Sequence, residues 1–530
     1  MPAAPAAGAG AAQDPTRQHL RGSSLLLAGR LLTLGIHFAA QLLIVRHFAA
    51  GDYGAFAWAL AAMALLEGAV TLGLPGGLAR FVPSCHERGE RRRMLAGIAF
   101  AAALVAGLGA LLAAAAWAAP DWLARVSGGR PEPVALLAIL LVAIPIEGLE
   151  RLAVSVFASF ARAGAIFFRR HVLAPGLRLG VVLLCLLQGA GPVFLAYSYV
   201  AATALGLAIN GALLLRLLRS DGARAQPGSA QLSSAPPGLP WRELALLSLP
   251  LCASELVALA AHAIPTLLLG YHRDPAEVAS LRAILPAANL NTLVMGSFAL
   301  LYTPVLSRLL ARGERAALGR LYWRTAVWMA LLSFPIFALT APLAEPVTRL
   351  LYGERYAASA ELLRILAAAY YLNAALGFNN LTLKLLGRLR ATLAIDALAL
   401  GSNLALALWL VPRHGALGAA LATAGSLVLQ NALSQAGLRW LAGIRAFEWR
   451  FASLYALLGA AAAGLLFVQR LAEPPLYLGV ALAALVSGAV LALSRGRLEL
   501  GETFPELLRL PGLGWLARGA RERGGRRPAG

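Results

Sequence analysis

Several charged, imidazole and amide side chains fall inside stretches of sequence that are otherwise apolar. Such groups are costly within a membrane, so by default they mark a binding or transport site. Arginine has a fixed charge and a planar fork of donors that matches phosphate oxygens, which favours an anionic ligand. The candidate substrate-binding residues are Arg30, Arg46, Arg80, Arg282, His37, His262 and Asn291, and the candidate ion-coupling residues are Glu67 and Glu255.

Each candidate has a structural alternative, which the sequence leaves open. Arg46, Arg80 and Arg282 lie close enough to the ends of apolar runs for their charges to reach the membrane interface. Arg30 lies deeper, about 9 Å of helix inside its run, where an ion pair with a glutamate on another run is the alternative. For the two histidines, a role in helix packing is the alternative, and residue type alone favours it.

Enzymatic motifs are not found in the sequence. There is no P-loop, so direct use of ATP by this chain is not expected, and no H-E-x-x-H or G-x-S-x-G motif occurs. Cys85, Cys185 and Cys252 are scattered, without the spacing of a disulfide framework or a metal site. We therefore predict a protein that is not an enzyme, with no catalytic residues, no metal and no cofactor.

The elements that must position these residues are membrane-spanning helices. Hydrophobic residues make up 59% of the 530 residues and charged residues 13%, whereas about 25% are charged in soluble domains. Mean hydropathy is +0.71. Apolar runs of about 20 residues, long enough to cross a hydrocarbon core of about 30 Å, recur along the whole chain. The fourteen predicted spans are 24–46, 56–80, 94–118, 133–158, 171–188, 193–217, 244–270, 284–307, 325–342, 361–383, 391–411, 416–436, 452–469 and 476–494.

Basic residues alternate between the breaks that separate these spans. One set of breaks, which includes both termini, holds 32 Lys and Arg residues, and the opposite set holds seven. Positive residues collect in cytoplasmic loops, so both termini are predicted to be cytoplasmic. The net charge of +21 is thus mainly a topology signal, and no nucleic-acid partner is expected.

Two halves of the chain resemble each other at an offset of about 225 residues. Arg88-Gly-Glu-Arg91 returns as Arg312-Gly-Glu-Arg315, and Arg162 has its counterpart in Arg388. Because each half has six spans, the repeats would be parallel, with a substrate site between them near the membrane midplane. The predicted domains are a cytoplasmic tail (1–23), a six-helix bundle (24–218), a cytoplasmic linker (219–243), a second six-helix bundle (244–440), helices 13 and 14 (441–494) and a basic cytoplasmic tail (495–530).

Three stretches resemble the polysaccharide-biosynthesis (Wzx-type) lipid-linked oligosaccharide flippases of the multidrug/oligosaccharidyl-lipid/polysaccharide exporter superfamily. Residues 45–81 carry an Asp52-Tyr53-Gly54 turn, a run of small residues and a final Arg-Phe. Residues 351–390 carry G-x-x-Y, L-R-I-L and G-R, and residues 415–423 read GALGAALAT. The resemblance implies an all-α fold in which two six-helix bundles form a V and two further helices follow at the C-terminal end. It also implies a central cavity lined by helices 1, 2, 7 and 8.

The resemblance also implies transport by alternating access. The expected cargo is an undecaprenyl-diphosphate-linked oligosaccharide, moved across the bacterial inner membrane for O-antigen, capsule or exopolysaccharide synthesis. Membrane lipids, H⁺ or Na⁺, and a polysaccharide polymerase or glycosyltransferases are the other candidate partners. A cation-coupled multidrug or metabolite antiporter is the alternative, although the first span has no acidic residue. A membrane-embedded glycan polymerase is a third reading, disfavoured by the short outer loops.

Overall fold

The computed structural model describes residues 15–160, 168–224 and 240–494. Within these ranges the chain is almost wholly helical and has no strand, which confirms the predicted all-α class. The helices are α1 (Pro15–His47), α2 (Ala50–Thr71), α3 (Leu74–Glu87), α4 (Arg91–Ala118), α5 (Pro120–Val126), α6 (Pro131–Leu141), α7 (Ala143–Ser159), α8 (Ala174–Leu187), α9 (Pro192–Arg224), α10 (Trp241–His272), α11 (Pro275–Ala288), α12 (Asn291–Ala311), α13 (Arg315–Thr340), α14 (Ala344–Tyr352), α15 (Ala360–Ala375), α16 (Asn379–Leu385), α17 (Leu389–Ala442), α18 (Ala452–Ala472) and α19 (Leu476–Ser494). A π-turn (Phe168–Leu173) and 3₁₀ turns (Glu354–Ser359 and Trp449–Phe451) complete the described elements.

Nine helical segments in the described residues are long and apolar enough to cross a membrane, or ten if the bent pair α6–α7 is one span. The chain is therefore a multi-pass membrane protein. The count of fourteen spans stays a prediction. The cytoplasmic tails and most of the linker of the predicted domain map lie outside the described residues, and the map as a whole also stays a prediction.

Helix α17 explains part of the difference between nine and fourteen. Its 54 residues would extend about 81 Å at 1.5 Å per residue, more than twice the thickness of a hydrocarbon core. At Gly415 the backbone leaves helical geometry, with φ 55° and ψ −131°, in a region that residues with a Cβ rarely adopt. The bend falls between the predicted spans 391–411 and 416–436.

The described residues form two compact units. The first contains residues from Met1–Leu43, Ala69–Ala115 and Ile139–Cys252, and the second contains Ile44–Gly68, Ala116–Ala138 and Ala253–Gly530. In the first unit, α7 packs against both α3 and α9. An internal ion pair between Arg178 and Glu147 (3.0 Å) joins α8 to α7, and the Tyr199 hydroxyl on α9 donates to the same carboxylate at 2.6 Å.

In the second unit, α13 is the central element, since it packs against α12, α15, α18 and α19. Its aromatic side chains are almost fully buried, with Tyr322, Trp323 and Phe334 each 1% exposed. The polar atoms of the two larger rings have partners, because the Tyr322 hydroxyl donates to the Gln435 Oε1 and the Trp323 Nε1 to the Arg445 carbonyl. Burying such large rings stabilises the helix arrangement around α13.

The Asp52-Tyr53-Gly54 motif, expected as a turn, lies in the first turn of helix α2, at a tight corner of the second unit. A Cβ on Gly54 would lie 1.7 Å from the Pro275 carbonyl oxygen, so only glycine lets α2 approach the start of α11 this closely. One turn further on, the Trp58 Nε1 donates to the Leu267 carbonyl of α10 at 3.2 Å. The motif that carried part of the family resemblance therefore allows α2 to pack closely against α10 and α11.

Candidate functional site

A polar cavity of about 230 Å³ lies within the second unit. Four elements form its wall, namely α10, α15, α16 and the two limbs of α17. The lining residues are Ser254, Val257, Ala258, Ala261, His262, Tyr370, Asn380, Lys384, Asp396, Ala399, Leu400, Asn403, Thr423, Ser426, Leu427 and Gln430. The small side chains of α10 leave room for the polar groups that α16 and α17 contribute.

Asp396 is the centre of the polar network in this cavity. Its Oδ1 accepts hydrogen bonds from the Asn380 Nδ2 at 2.7 Å and from the Gln430 Nε2 at 2.8 Å. Its Oδ2 lies 3.4 Å from the Lys384 ammonium, which is the only lysine side chain of the sequence. A carboxylate has about four acceptor positions, so three donors already use most of them, and the two charges cancel within the cavity.

A second set of amide side chains, buried or partly buried, packs next to the Asp396 network. The Asn379 Nδ2 donates to the Asn431 Oδ1 at 2.8 Å, and the Asn431 Nδ2 donates to the Asn373 Oδ1 at 3.0 Å. On the cavity wall, the Asn403 Nδ2 donates to the Ser426 hydroxyl at 3.0 Å. These bonds fix α15 and α16 against α17, which orients the groups around Asp396.

The structure brings one of the predicted substrate residues, His262, to this cavity. Arg282 does not line the cavity, but its helix α11 packs against α15 and α17, which do. Asn291 begins α12 and is fully buried, and neither polar atom of its side chain has a hydrogen-bond partner among the described residues. An amide in this state is costly, so Asn291 is a group whose role packing does not explain.

The remaining predicted residues lie elsewhere in the two units. Arg46 is exposed at the end of α1, where its guanidinium donates to the carbonyls of Leu350 and Leu351. Glu67 is 1% exposed within α2, and Glu255 is half-buried on α10. In the first unit, His37 and Arg80 are exposed on their helices, and the side chain of Arg30 lies outside the described residues.

Sequence reasoning did not identify the Lys384–Asp396 pair as a site. It placed Asp396 within a span and Lys384 in a basic loop, 12 residues earlier in the chain. Two signals could have joined them: a single lysine among 46 basic residues, and an aspartate inside an apolar run. Their contact depends on the short helix α16, whose existence the apolar pattern did not reveal.

Apolar helices of spanning length, with a cavity that holds an ion pair, define a polytopic membrane protein with an internal site. Residues 19–310, more than half of the chain, match the family described as polysaccharide biosynthesis protein, and residues 250–409 match the MatE family. The chain belongs to the polysaccharide biosynthesis protein family, within the superfamily of multidrug, oligosaccharidyl-lipid and polysaccharide exporters. This confirms the resemblance inferred from the sequence motifs. No curated protein sequence matches the chain.

Solved transporters share the fold at low sequence identity. The lipid II flippase MurJ in an inward closed conformation is 13% identical, with a TM-score of 0.68 over 89% of this chain and 98% of that one. An inward-facing multidrug resistance MATE transporter is 15% identical, with a TM-score of 0.59 over 77% and 93%. A superfamily transporter from Pyrococcus furiosus is 16% identical, with a TM-score of 0.54 over 81% and 95%.

Proposed function

We propose that this protein is a flippase that carries an undecaprenyl-diphosphate-linked oligosaccharide from the cytoplasmic to the outer leaflet by alternating access. The family match over residues 19–310 is the observation that carries the proposal. The arginines at membrane depth or at span ends suit a diphosphate, because guanidinium groups bind phosphate oxygens in a bidentate manner. Of these, Arg282 is the best placed, since its helix α11 packs against α15 and α17, which form part of the cavity wall.

The membrane is then the inner membrane of a bacterium, with both termini in the cytoplasm, as the charge bias favours. The lipid tail would stay in the bilayer while the diphosphate and sugars pass through the protein. The partners of such a carrier would be a polysaccharide polymerase and glycosyltransferases, to which it delivers cargo or from which it receives cargo.

A cation-coupled antiporter is the second candidate, because residues 250–409 match the MatE family. Its cationic substrate or coupling ion would need an acidic side chain that can bind it. Asp396 is poorly suited to that role, since Lys384, Asn380 and Gln430 already surround its carboxylate. Glu67 and Glu255 are the acids on which this alternative, or an H⁺- or Na⁺-coupled flippase, would depend.

The proposal is tested in the source cell by deleting the gene and complementing it with variants. Deletion should abolish surface polysaccharide and cause the lipid-linked precursor to accumulate, as measured by mass spectrometry of extracted lipids. Arg282→Ala should fail to restore export, whereas Arg312→Ala should restore it. Arg312 is the matched control, because it is 70% exposed in the turn between α12 and α13. Normal polysaccharide in the deletion strain would contradict the proposal.

A further inference from the structure

Two arginines join the C-terminal ends of α1 and α14 within the second unit. Arg46, in the last turn of α1, donates from its Nε to the Leu351 carbonyl at 2.7 Å and from a terminal nitrogen to the Leu350 carbonyl. Both carbonyls belong to the last turn of α14. We call Arg46 and its counterpart Arg355 the arginine clasp.

Arg355 makes the reverse contact. From the 3₁₀ turn that follows α14, it donates to the carbonyls of Val45 and Phe48, each at 2.8 Å, and to the carbonyl of Arg46. The last four carbonyls of a helix have no partner within the helix, and they lie at the negative end of its dipole. Arg355 therefore caps α1, the helix that carries Arg46. Arg46 in turn caps α14, the helix that leads to Arg355.

Buried side chains shield the bonds from Arg355 to the Val45 and Phe48 carbonyls, whereas the bonds of Arg46 are exposed. Val45 is fully buried, Phe48 is 5% exposed and Tyr356 is 1% exposed. The Arg355 guanidinium also lies 5.5 Å from the centre of the Tyr356 ring. Guanidinium–carbonyl bonds are stronger in such partly apolar surroundings than in bulk water.

The acceptors in the clasp are neutral. Among the described residues, the hydrogen bonds found for Arg46 and Arg355 all end on backbone carbonyls. A guanidinium–phosphate pair adds the attraction of two opposite charges and two parallel hydrogen bonds to what a neutral carbonyl offers. An ionised diphosphate that reaches this end of the protein can therefore displace the carbonyls, which a neutral lipid cannot do.

We propose that the arginine clasp is a gate on the outward side, and that the diphosphate of the cargo opens it by taking the two guanidinium groups from the helix ends. The direction rests on the charge bias, which puts the breaks after α1 and α14 outside. The cargo rests on the proposed flippase function. The clasp gives a structural role to an arginine at position 355, in a set of breaks where basic residues are few.

The test measures the distance between the two helix ends by pulsed electron paramagnetic resonance in lipid nanodiscs. Spin labels are attached at Ala49 and Leu350, both exposed, after the three buried native cysteines are replaced by alanine. The full chain should give mainly the short, clasped distance. Arg355→Ala should lower the ratio of closed to open molecules at least about tenfold without any ligand.

A second arm uses ligands on the unsubstituted clasp. Undecaprenyl diphosphate should lengthen the distance, and undecaprenol, which has the same chain and no phosphate, should not. Inorganic pyrophosphate separates the charge from the lipid, and it should open the clasp at higher concentration. Arg349→Ala is the control for altered charge, because Arg349 on α14 pairs with Glu345 at 2.9 Å and Glu354 at 3.5 Å.

The outcomes test the clasp as a gate separately from the diphosphate as its trigger. Equal distances in the parent and in Arg355→Ala would overturn the clasp as a gate, and Arg46→Ala repeats this test if the first variant does not fold. Opening by mutation without any response to undecaprenyl diphosphate would overturn the proposed trigger. Because the mutational arm contains no substrate, its result does not depend on whether the protein carries a lipid-linked oligosaccharide.

Discussion

Removing the carboxylate of Asp396 should destabilise the second unit more than removing an exposed ion pair. Asp396→Ala leaves the Asn380 and Gln430 amides and the Lys384 ammonium without their acceptor. A hydrogen bond to a charged group contributes about 1.5–3 kcal/mol. The Asp396 side chain is 13% exposed, so bulk water reaches these groups only through the cavity.

The exposure of Lys384 limits the loss. Its side chain is 41% exposed, so its charge regains solvent and its share falls to about 1 kcal/mol or less. The two amides add about 1.5 kcal/mol each at the lower end of the range, which with the lysine gives a total of about 3–4 kcal/mol. Asp396→Asn should cost less than Asp396→Ala, because it keeps an acceptor oxygen for the two amides, although its NH₂ group would face the Lys384 ammonium.

The assay is heat-induced unfolding in detergent, followed by size-exclusion chromatography of the surviving folded protein. Such unfolding is irreversible, so variants are compared at one heating rate. Arg349→Ala is the control, because its pair with Glu345 is about half exposed on both sides and should contribute about 0–1 kcal/mol. Equal losses of thermal stability for Asp396→Ala and Arg349→Ala would refute the reasoning.

Three further predictions test packing, the unexplained amide and topology. Gly415→Ala should lower the yield of folded protein, because the added Cβ would lie 1.9 Å from the Glu277 Oε2 and φ is positive; Gly401→Ala, in open space, is its control. Asn291→Leu should leave thermal stability equal or higher, since it removes a buried amide without partners, yet should reduce transport if Asn291 binds cargo; a loss of stability would contradict this. In a cysteine-free chain, a cysteine at Arg312 should react with an impermeant maleimide only from the cytoplasm, and one at Arg125 only from outside, and the reverse pattern would contradict the topology.

Sequence patterns predicted the helical class well because the membrane imposes a strong and local constraint. Each span must be apolar over about 20 residues, so hydropathy alone identifies most helices. The break near Gly415 was also predictable, since polar residues and glycine interrupt the apolar run there. The short helices α14 and α16 have no such signal, because both are shorter than a span.

The contacts of the candidate residues were less predictable because they depend on distant parts of the chain. The sequence placed Arg46 at the end of a span, but its partners on α14 lie about 300 residues away. Lys384 was assigned to a cytoplasmic loop, whereas its ammonium lies beside the carboxylate of Asp396. In both cases the residue type indicated the chemistry, and only the folded structure identifies the partner.

The most direct test of the central claim is translocation in proteoliposomes that contain the purified protein. A fluorescent lipid-diphosphate-linked oligosaccharide is placed in one leaflet, and its arrival in the other is measured by quenching. The flippase account predicts movement that requires the protein and the diphosphate, and that Arg282→Ala reduces. Movement of a cationic drug in the same vesicles, without any movement of the lipid-linked oligosaccharide, would contradict the account.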